Sequence, residues 1–491
     1  MSNKNSYNIA AKSTFLFGSV QAFRILSTIA KGKILAVYLG PFGLGIASIF
    51  MNTLASLQTI SNFGLNFSGV REIAFEKKKN DPKLGKLIFS LLIYFLFFSI
   101  FLSIFILIFS SKISLYSFGS VDYSLHYKFL AIVILLNAVN WWYQTIFQGI
   151  RELNIIAKSS VVSSILSVVF TFPVYHFYGI DGIVPSIIIT SALTLLISFF
   201  YSKKINLKLV RIKIIDLIIN SKHIVSLGFT KMTTSLMGNL STLIIILVIQ
   251  KLGSLEEVGL YEVGMKISYQ YVGLIFAAIT VDYFPRISAV SNNTIKVNEV
   301  SNHQTEITLL LVIPILMSLM IFTPLIIQIM FSSDFLEITD FIRFCSIGVF
   351  FLTAKQALDL IPFAKGDKSI FFYYTLYGSL SLIFFSYLGY IFEGLYGVGL
   401  FFILHCFLAL LIIVTILIKK YQYVFTSNSL KYFGIGFIQI ILTALLVFNF
   451  NTSTVYLVGI FLLFLSFLFS IKELDKLIDL RNLFKNFNRI N

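Results

Sequence analysis

Apolar runs long enough for a helix to cross a bilayer, about 20 residues, recur fourteen times along the chain. They cover approximately 14–38, 43–64, 86–110, 125–150, 156–178, 181–201, 224–250, 257–282, 304–331, 338–364, 368–392, 394–419, 430–449 and 453–471. Glycine-containing turns separate several of them, as at Gly40-Pro41-Phe42-Gly43, Gly179-Ile180-Asp181-Gly182 and Phe392-Glu393-Gly394. The pattern predicts an all-α polytopic membrane protein of about 14 transmembrane helices. Its connections are too short to hold a separate soluble domain.

Composition and charge sharpen this picture. With 57% apolar residues, 16% aromatics and a mean hydropathy of +0.89, lipid is the solvent for most of the chain. Twenty-eight of the 38 Lys and Arg fall in alternate gaps between the runs, and the opposite gaps hold only Lys112, Lys128 and Lys251. By the positive-inside rule, both termini are expected in the cytoplasm. A net charge of +16 then serves orientation and anionic headgroups, so no nucleic-acid partner is expected. Cys345 and Cys406 and the five histidines have no metal-ligand or disulfide spacing, so no metal is expected. No phosphate-binding glycine loop is present.

An internal repeat divides the chain. Tyr38-Leu39-Gly40-Pro41-Phe42-Gly43-Leu44-Gly45 resembles Lys251-Leu252-Gly253-Ser254 followed by Val258-Gly259-Leu260-Tyr261, and Val70-Arg71-Glu72-Ile73-Ala74 resembles Pro285-Arg286-Ile287-Ser288-Ala289. Halves that enter the membrane in the same direction are parallel repeats. The expected organisation is a six-helix lobe over 1–202, a basic cytoplasmic linker over 203–222, a second six-helix lobe over 223–421, and two further helices with a basic tail over 422–491. The last two spans carry almost no charge and are expected to lie outside any transport path. In the tail, Leu477, Leu480, Phe484 and Phe487 share one helical face beside basic residues, as in a helix lying on a membrane surface.

Polar residues inside the spans carry the candidate chemistry. A Lys or Arg at a helix centre costs about 2.5–3.5 kcal/mol on insertion scales, so each needs water or a partner. Arg24 and Lys31 project from nearly one face of the first helix. Asn137, Asn140, Gln144 and Gln148 form a stripe on the fourth beside Trp141 and Trp142, and Lys231, Ser235, Asn239 and Thr242 form one on the seventh. These stripes line a hydrated path or tie helices together by hydrogen bonds. Glu262 with Lys266, and Lys355 with Asp359, stand one turn apart. Each pair is a static salt bridge or a device in which protonating the carboxylate releases the lysine, with Asp359 and Glu262 as ion-coupling candidates. Lys33 and Arg343 are expected to reach outward to the interface.

The run Gly32-Lys33-Ile34-Leu35-Ala36-Val37-Tyr38-Leu39-Gly40-Pro41-Phe42-Gly43-Leu44-Gly45 resembles the first hairpin of bacterial O-antigen and enterobacterial-common-antigen translocases, the Wzx-type flippases. Gly69-Val70-Arg71-Glu72-Ile73-Ala74, Asp282-Tyr283-Phe284-Pro285-Arg286-Ile287-Ser288 and Ala364-Lys365-Gly366 fit the same pattern. The resemblance covers about residues 10–420. It implies a MATE-like fold shared with multidrug antiporters and the peptidoglycan-precursor flippase, and a place in the bacterial cytoplasmic (inner) membrane. It also implies an oligosaccharide repeat unit on undecaprenyl pyrophosphate as substrate, with membrane lipids, a polysaccharide polymerase and chain-length proteins as partners. On that reading Arg24, Lys31, Lys231, Lys266 and Lys355, with Asn137, Asn140, Gln144, Gln148 and Asn239, contact the substrate. No cofactor is implied, and movement couples to protons or sodium. A multidrug or small-solute cation-coupled antiporter stays open as an alternative. A membrane glycan polymerase or ligase does so less well, because the external loops are short; the chain is not expected to be an enzyme.

Overall fold

The computed structural model describes residues 3–79, 83–205, 210 and 214–478, and every regular element among them is helical. That is what lipid demands of an open chain, because a helix satisfies its own backbone N–H and C=O groups. Contacts divide the protein into two compact units, Met1–Gly259 and Leu260–Asn491.

The first unit opens with α1, Asn3–Asn62, which holds two spans joined by a bend at Gly40 (φ 61°, ψ −169°) next to Pro41. A left-handed φ is cheap only for glycine, and the proline has no N–H to continue the ladder. A second break at Phe63 and Gly64, with φ 51° and 67°, leads into α2, Leu65–Lys79. Then follow α3 (Leu84–Phe118), α4 (Ser124–Gly149), α5 (Leu153–Tyr178), a 3-10 turn at Gly179–Gly182, α6 (Ile183–Ser202) and α7 (Ile214–Leu252). Leu65 and Ile73 of α2, Leu91 and Phe95 of α3, and Ala138, Trp142 and Ile146 of α4 form one buried cluster. Trp142 closes it by donating from Nε1 to the Ile88 carbonyl at 2.9 Å. Although the repeat assigns the seventh span to the second half, α7 packs on α1 and α2 within this unit.

The helix α8 (Leu255–Met265) crosses the division between the units and runs into a π-helical segment, Lys266–Gln270, before α9 (Tyr271–Ala289). The second unit continues with α10 (Thr294–Met330), α11 (Thr339–Lys355), four turn residues, α12 (Leu360–Ala364) and α13 (Lys368–Tyr421). Like α1, α13 holds two spans, here joined by non-helical backbone at Glu393 and Gly394. Last come α14 (Ser427–Asn449) and α15 (Thr452–Ile478). Counting each bent or interrupted helix by its spans accounts for all fourteen predicted segments. By length and apolarity alone, nine helical stretches among the described residues qualify as crossings.

Both terminal helices pack on α10, and α14 also touches α11. A short polar latch holds their entry loop. Asn302 accepts from the Thr426 backbone N–H at 3.1 Å, while Glu306 accepts from the Thr426 and Ser429 hydroxyls at 2.5 and 2.9 Å. Asn302 and Glu306 are both buried. Arg343 turns inward rather than out to the interface: its guanidinium bonds Asp340 at 3.0 Å, the Val447 carbonyl at 3.2 Å and the Met320 carbonyl at 3.4 Å. An arginine near a helix end has many donors to satisfy, and here two neighbouring helices offer carbonyls. Leu480, Phe484 and Phe487 of the expected surface helix lie outside the described residues, as do parts of the basic connection 203–222.

Candidate functional site

The helices of the first unit enclose a polar cavity of about 390 Å³. Lys31 enters it from α1, Asn66 from α2, and Asn140, Trp141, Gln144, Thr145 and Gln148 from α4. The opposite wall is hydroxyl: Ser159, Ser160, Ser163, Ser164 and Ser167 on α5, with Thr190, Thr194 and Ser198 on α6. Serines at this density survive in apolar helices because their protons return to the helix's own carbonyls. Ser159 donates to Ile156 at 3.1 Å, Ser163 to Ser160 at 3.0 Å, Ser167 to Ser164 at 2.8 Å and Thr194 to Thr190 at 2.8 Å. Thr145 donates likewise to the Trp141 carbonyl at 2.7 Å. Ser198 instead donates to Asn140 Oδ1 at 2.7 Å and accepts from Gln144 Nε2 at 3.3 Å. Those amides therefore both tie α4 to α6 and line the space between.

A second cavity of about 310 Å³ adjoins it, with Trp141 and Asn66 common to both walls. Gln58, Thr59 and Asn62 of α1 face Lys231, Ser235 and Asn239 of α7 across it. Asn239 donates from Nδ2 to Thr59 Oγ1 at 2.7 Å, joining the two walls. Among the described residues, each cavity is lined by one lysine and no carboxylate. A positive charge in a partly enclosed, low-dielectric space with no internal counter-ion attracts an anion from outside.

Six of the candidate residues are thus gathered here: Lys31, Asn140, Gln144 and Gln148 in the first cavity, Lys231 and Asn239 in the second. Asn137 is not part of either wall; it reaches Ser191 Oγ of α6 at 3.5 Å and serves the packing of α4 on α6. Arg24 lies on α1, but its side chain is outside the described residues. The α5 and α6 hydroxyls were missed in the sequence reading, although Ser159-Ser160, Ser163-Ser164 and Ser167 already show a four-residue recurrence.

The remaining four candidates belong to the second unit, where they form two ion pairs at interruptions of helices. Glu262 and Lys266 stand 3.3 Å apart where α8 passes into the π segment. Lys355, the last residue of α11, pairs with Asp359, the last of the four turn residues before α12. The Lys355 ammonium also lies 5.2 Å from the centre of the Tyr374 ring. Tyr283 of α9 donates at 2.9 Å to the Ala357 carbonyl that the interruption frees. A broken helix needs such outside partners inside a membrane. Among the described residues no group of three or more His, Cys, Asp or Glu is placed to hold a metal.

Comparison with known proteins gives this geometry its setting. The "Putative O-antigen transporter" of Shigella flexneri is 24% identical over 368 residues, covering 71% of this chain and 82% of that protein. The "Lipid III flippase" of Escherichia coli K12 is 23% identical over 193 residues; that match takes in 38% of this chain and only 46% of the flippase. In fold, the chain is similar to "Lipid II flippase MurJ, inward closed conformation", with a TM-score of 0.69, 18% identity and coverage of 95% and 99% of the two chains. An inward-facing "multidrug resistance MATE family transporter of the MOP superfamily" aligns with a TM-score of 0.65 at 16% identity, covering 88% and 99%. These likenesses establish a MATE-like multi-pass membrane fold. The sequence profile of the family described as "Polysaccharide biosynthesis protein" matches residues 34–340, and the chain belongs to that family.

Proposed function

We propose that this protein is a flippase that carries lipid-linked oligosaccharide repeat units of a surface polysaccharide across the bacterial cytoplasmic membrane, without any covalent step. The observation that carries this reading is the pair of adjoining polar cavities, each lined, among the described residues, by one lysine and no carboxylate, in helices otherwise built for lipid. The pyrophosphate of an undecaprenyl-linked glycan is the anion such a space can recruit: Lys231, together with Arg24, meets the phosphates, and the hydroxyl and amide walls meet sugar. Charge-assisted hydrogen bonds to phosphate are the strong ones. The polyprenyl tail stays in lipid, and alternating access of the repeats moves the headgroup. An antiporter for organic cations fits less well, since its ligand would meet lysine with no acid to oppose it.

Direction is assigned to the second unit. Protonation of Asp359 weakens its hold on Lys355 at an interrupted helix, and Glu262 with Lys266 acts in the same way. Both termini face the cytoplasm, with the basic connections anchored by anionic lipid. A polymerase and chain-length proteins take up the product outside.

The test is the sidedness of radiolabelled lipid-linked glycan in vesicles with and without the protein. Glycan exposed on the far side only when the protein is present supports the reading. Equal exposure in both, with no related flippase expressed, removes it.

A further inference from the structure

We propose that the 390 Å³ cavity is a subsite for one uncharged sugar residue, with Trp141 as its stacking face and Gln144 and Gln148 as the side chains that read its hydroxyls. This deepens the flippase reading and rests on it for the source of the sugar.

The argument is one of donors and acceptors. Of the nine hydroxyl side chains in the wall, six spend their protons on neighbouring protein oxygens. What these six present to the cavity is oxygen lone pairs, which accept. An inorganic anion needs the opposite, a wall of donors, so chloride or phosphate alone is poorly served. A metal cation needs carboxylates or a cage of carbonyls, and among the described residues this wall has no carboxylate and includes Lys31. A ligand that both donates and accepts at many points, with little or no charge, satisfies such a wall. Sugar hydroxyls do this, taking protons from the Lys31 ammonium and the amides and giving their own to serine and threonine.

Shape and aromatic placement agree. The volume lies within the range of about 300–1,000 Å³ usual for small-ligand sites. Trp141 is half-buried at the wall shared with the Lys231 cavity. The negative face of an indole attracts the positively polarised C–H face of a pyranose ring. A sugar stacked there is one step from the cavity assigned to the phosphates, as a residue near the lipid-linked end of a glycan must be.

The chain's two tryptophans make the test direct, because Trp142 is buried and already bonded to Ile88 while Trp141 faces the cavity. The purified full-length protein is titrated with glucose, galactose and N-acetylglucosamine, and in parallel with sodium chloride and sodium phosphate, reading tryptophan emission. The expected result is a saturable change with at least one neutral sugar, absent in Trp141→Phe. In Gln144→Leu/Gln148→Leu, loss of two hydrogen bonds weakens binding about tenfold. No response to any of the three sugars overturns the proposal, as does a sugar response unchanged in the double variant. A response to chloride or phosphate alone makes the cavity an anion site instead. Failure here with translocation intact leaves the flippase reading standing, and sugar binding without translocation removes that reading and leaves the subsite.

Discussion

Gly45 and Gly259 bring their two helices together backbone against backbone. A Cβ on Gly45 would lie 1.8 Å from the Leu255 carbonyl oxygen, and one on Gly259 would lie 2.0 Å from that of Pro41. The two glycines belong to the hairpins that the internal repeat pairs. Gly40, in the same hairpin, has open space around it and is required for its φ of 61° instead.

These two kinds of glycine predict different costs. Gly45→Val must push backbone away and is expected to destabilise by about 1–3 kcal/mol or more, as overpacking does. Gly40→Ala meets no neighbour and is expected to cost only the glycine-type backbone at φ 61°, ψ −169°, about 1–3 kcal/mol. Thermal unfolding of the detergent-purified variants ranks them. Equal midpoints for Gly45→Val and the parent protein would contradict the contact.

Charge in the cavities predicts a graded loss of transport. Lys231→Ala and Lys31→Ala are each expected to lower glycan translocation per inserted molecule at least tenfold, and Lys231→Arg to keep part of it because charge and reach survive. Lys33→Ala, outside both walls, is expected to stay within about twofold. A fully active Lys231→Ala variant rules out the phosphate role of Lys231, and a fully active Lys31→Ala variant rules out its contact with the glycan.

For the ion pair at the interrupted helix, removing one partner is worse than removing both. Asp359→Asn leaves Lys355 without its counter-ion, and breaking a buried pair costs about 3–5 kcal/mol, whereas an apolar replacement of both is often tolerated. Lys355→Met/Asp359→Leu is therefore expected to recover the abundance lost in Asp359→Asn. If the pair couples transport to protons, that double variant inserts normally yet no longer responds to an imposed pH gradient. A gradient response equal to that of the parent refutes the coupling role.

At the start of α13, Lys420, Tyr421 and the Ile370 N–H hold the Asp367 carboxyl below its usual range. A depressed folded value means the contribution to stability is present above the ordinary aspartate value near 3.8 and lost as pH falls below it through the folded value. Asp367→Asn is expected to flatten the acid limb of a stability-versus-pH curve and to leave neutral pH little changed, since the site is partly open to solvent. An acid limb of unchanged steepness in the variant would argue against the assignment.

The polar latch changes what a C-terminal truncation should do. The sequence pattern suggests that a chain ending after Tyr423 keeps its transport core. In the structure such a chain loses Thr426 and Ser429, leaving Asn302 and Glu306 buried without these partners, and uncovers the face of α10 on which α14 and α15 pack. Inserted protein is expected to fall severalfold, since each unsatisfied buried group costs about 1–3 kcal/mol. Quantifying membrane-inserted protein against full length decides it; normal abundance means the latch is dispensable.

The spans were legible because lipid imposes a simple code of apolar length, and the bends at Gly40 and Glu393–Gly394 were legible because glycine and proline mark them. Asn140, Gln144 and Gln148 could be read as part of one stripe on α4, and Lys31 as an intramembrane charge on α1, because amides and charges are conspicuous among leucines. The serine wall was not read, since a hydroxyl that bonds its own helix is an ordinary way for serine to exist in a membrane. Periodicity tells which face a side chain occupies but not what stands opposite, so Asn137 looked like its neighbours on α4. The inward turn of Arg343 depends on carbonyls of α10 and α14 that are distant in sequence. The packing of α7 with α1 and α2 likewise needed three dimensions.

The back-bonded serines of α5 give the cavity an unusual tolerance to change. Because each hydroxyl is anchored within its own turn, exchanging one for alanine deletes a single acceptor from the wall and leaves the helix and its neighbours in place. The lining can therefore be rewritten one position at a time, like type set in a fixed frame, while the helices around it keep their packing.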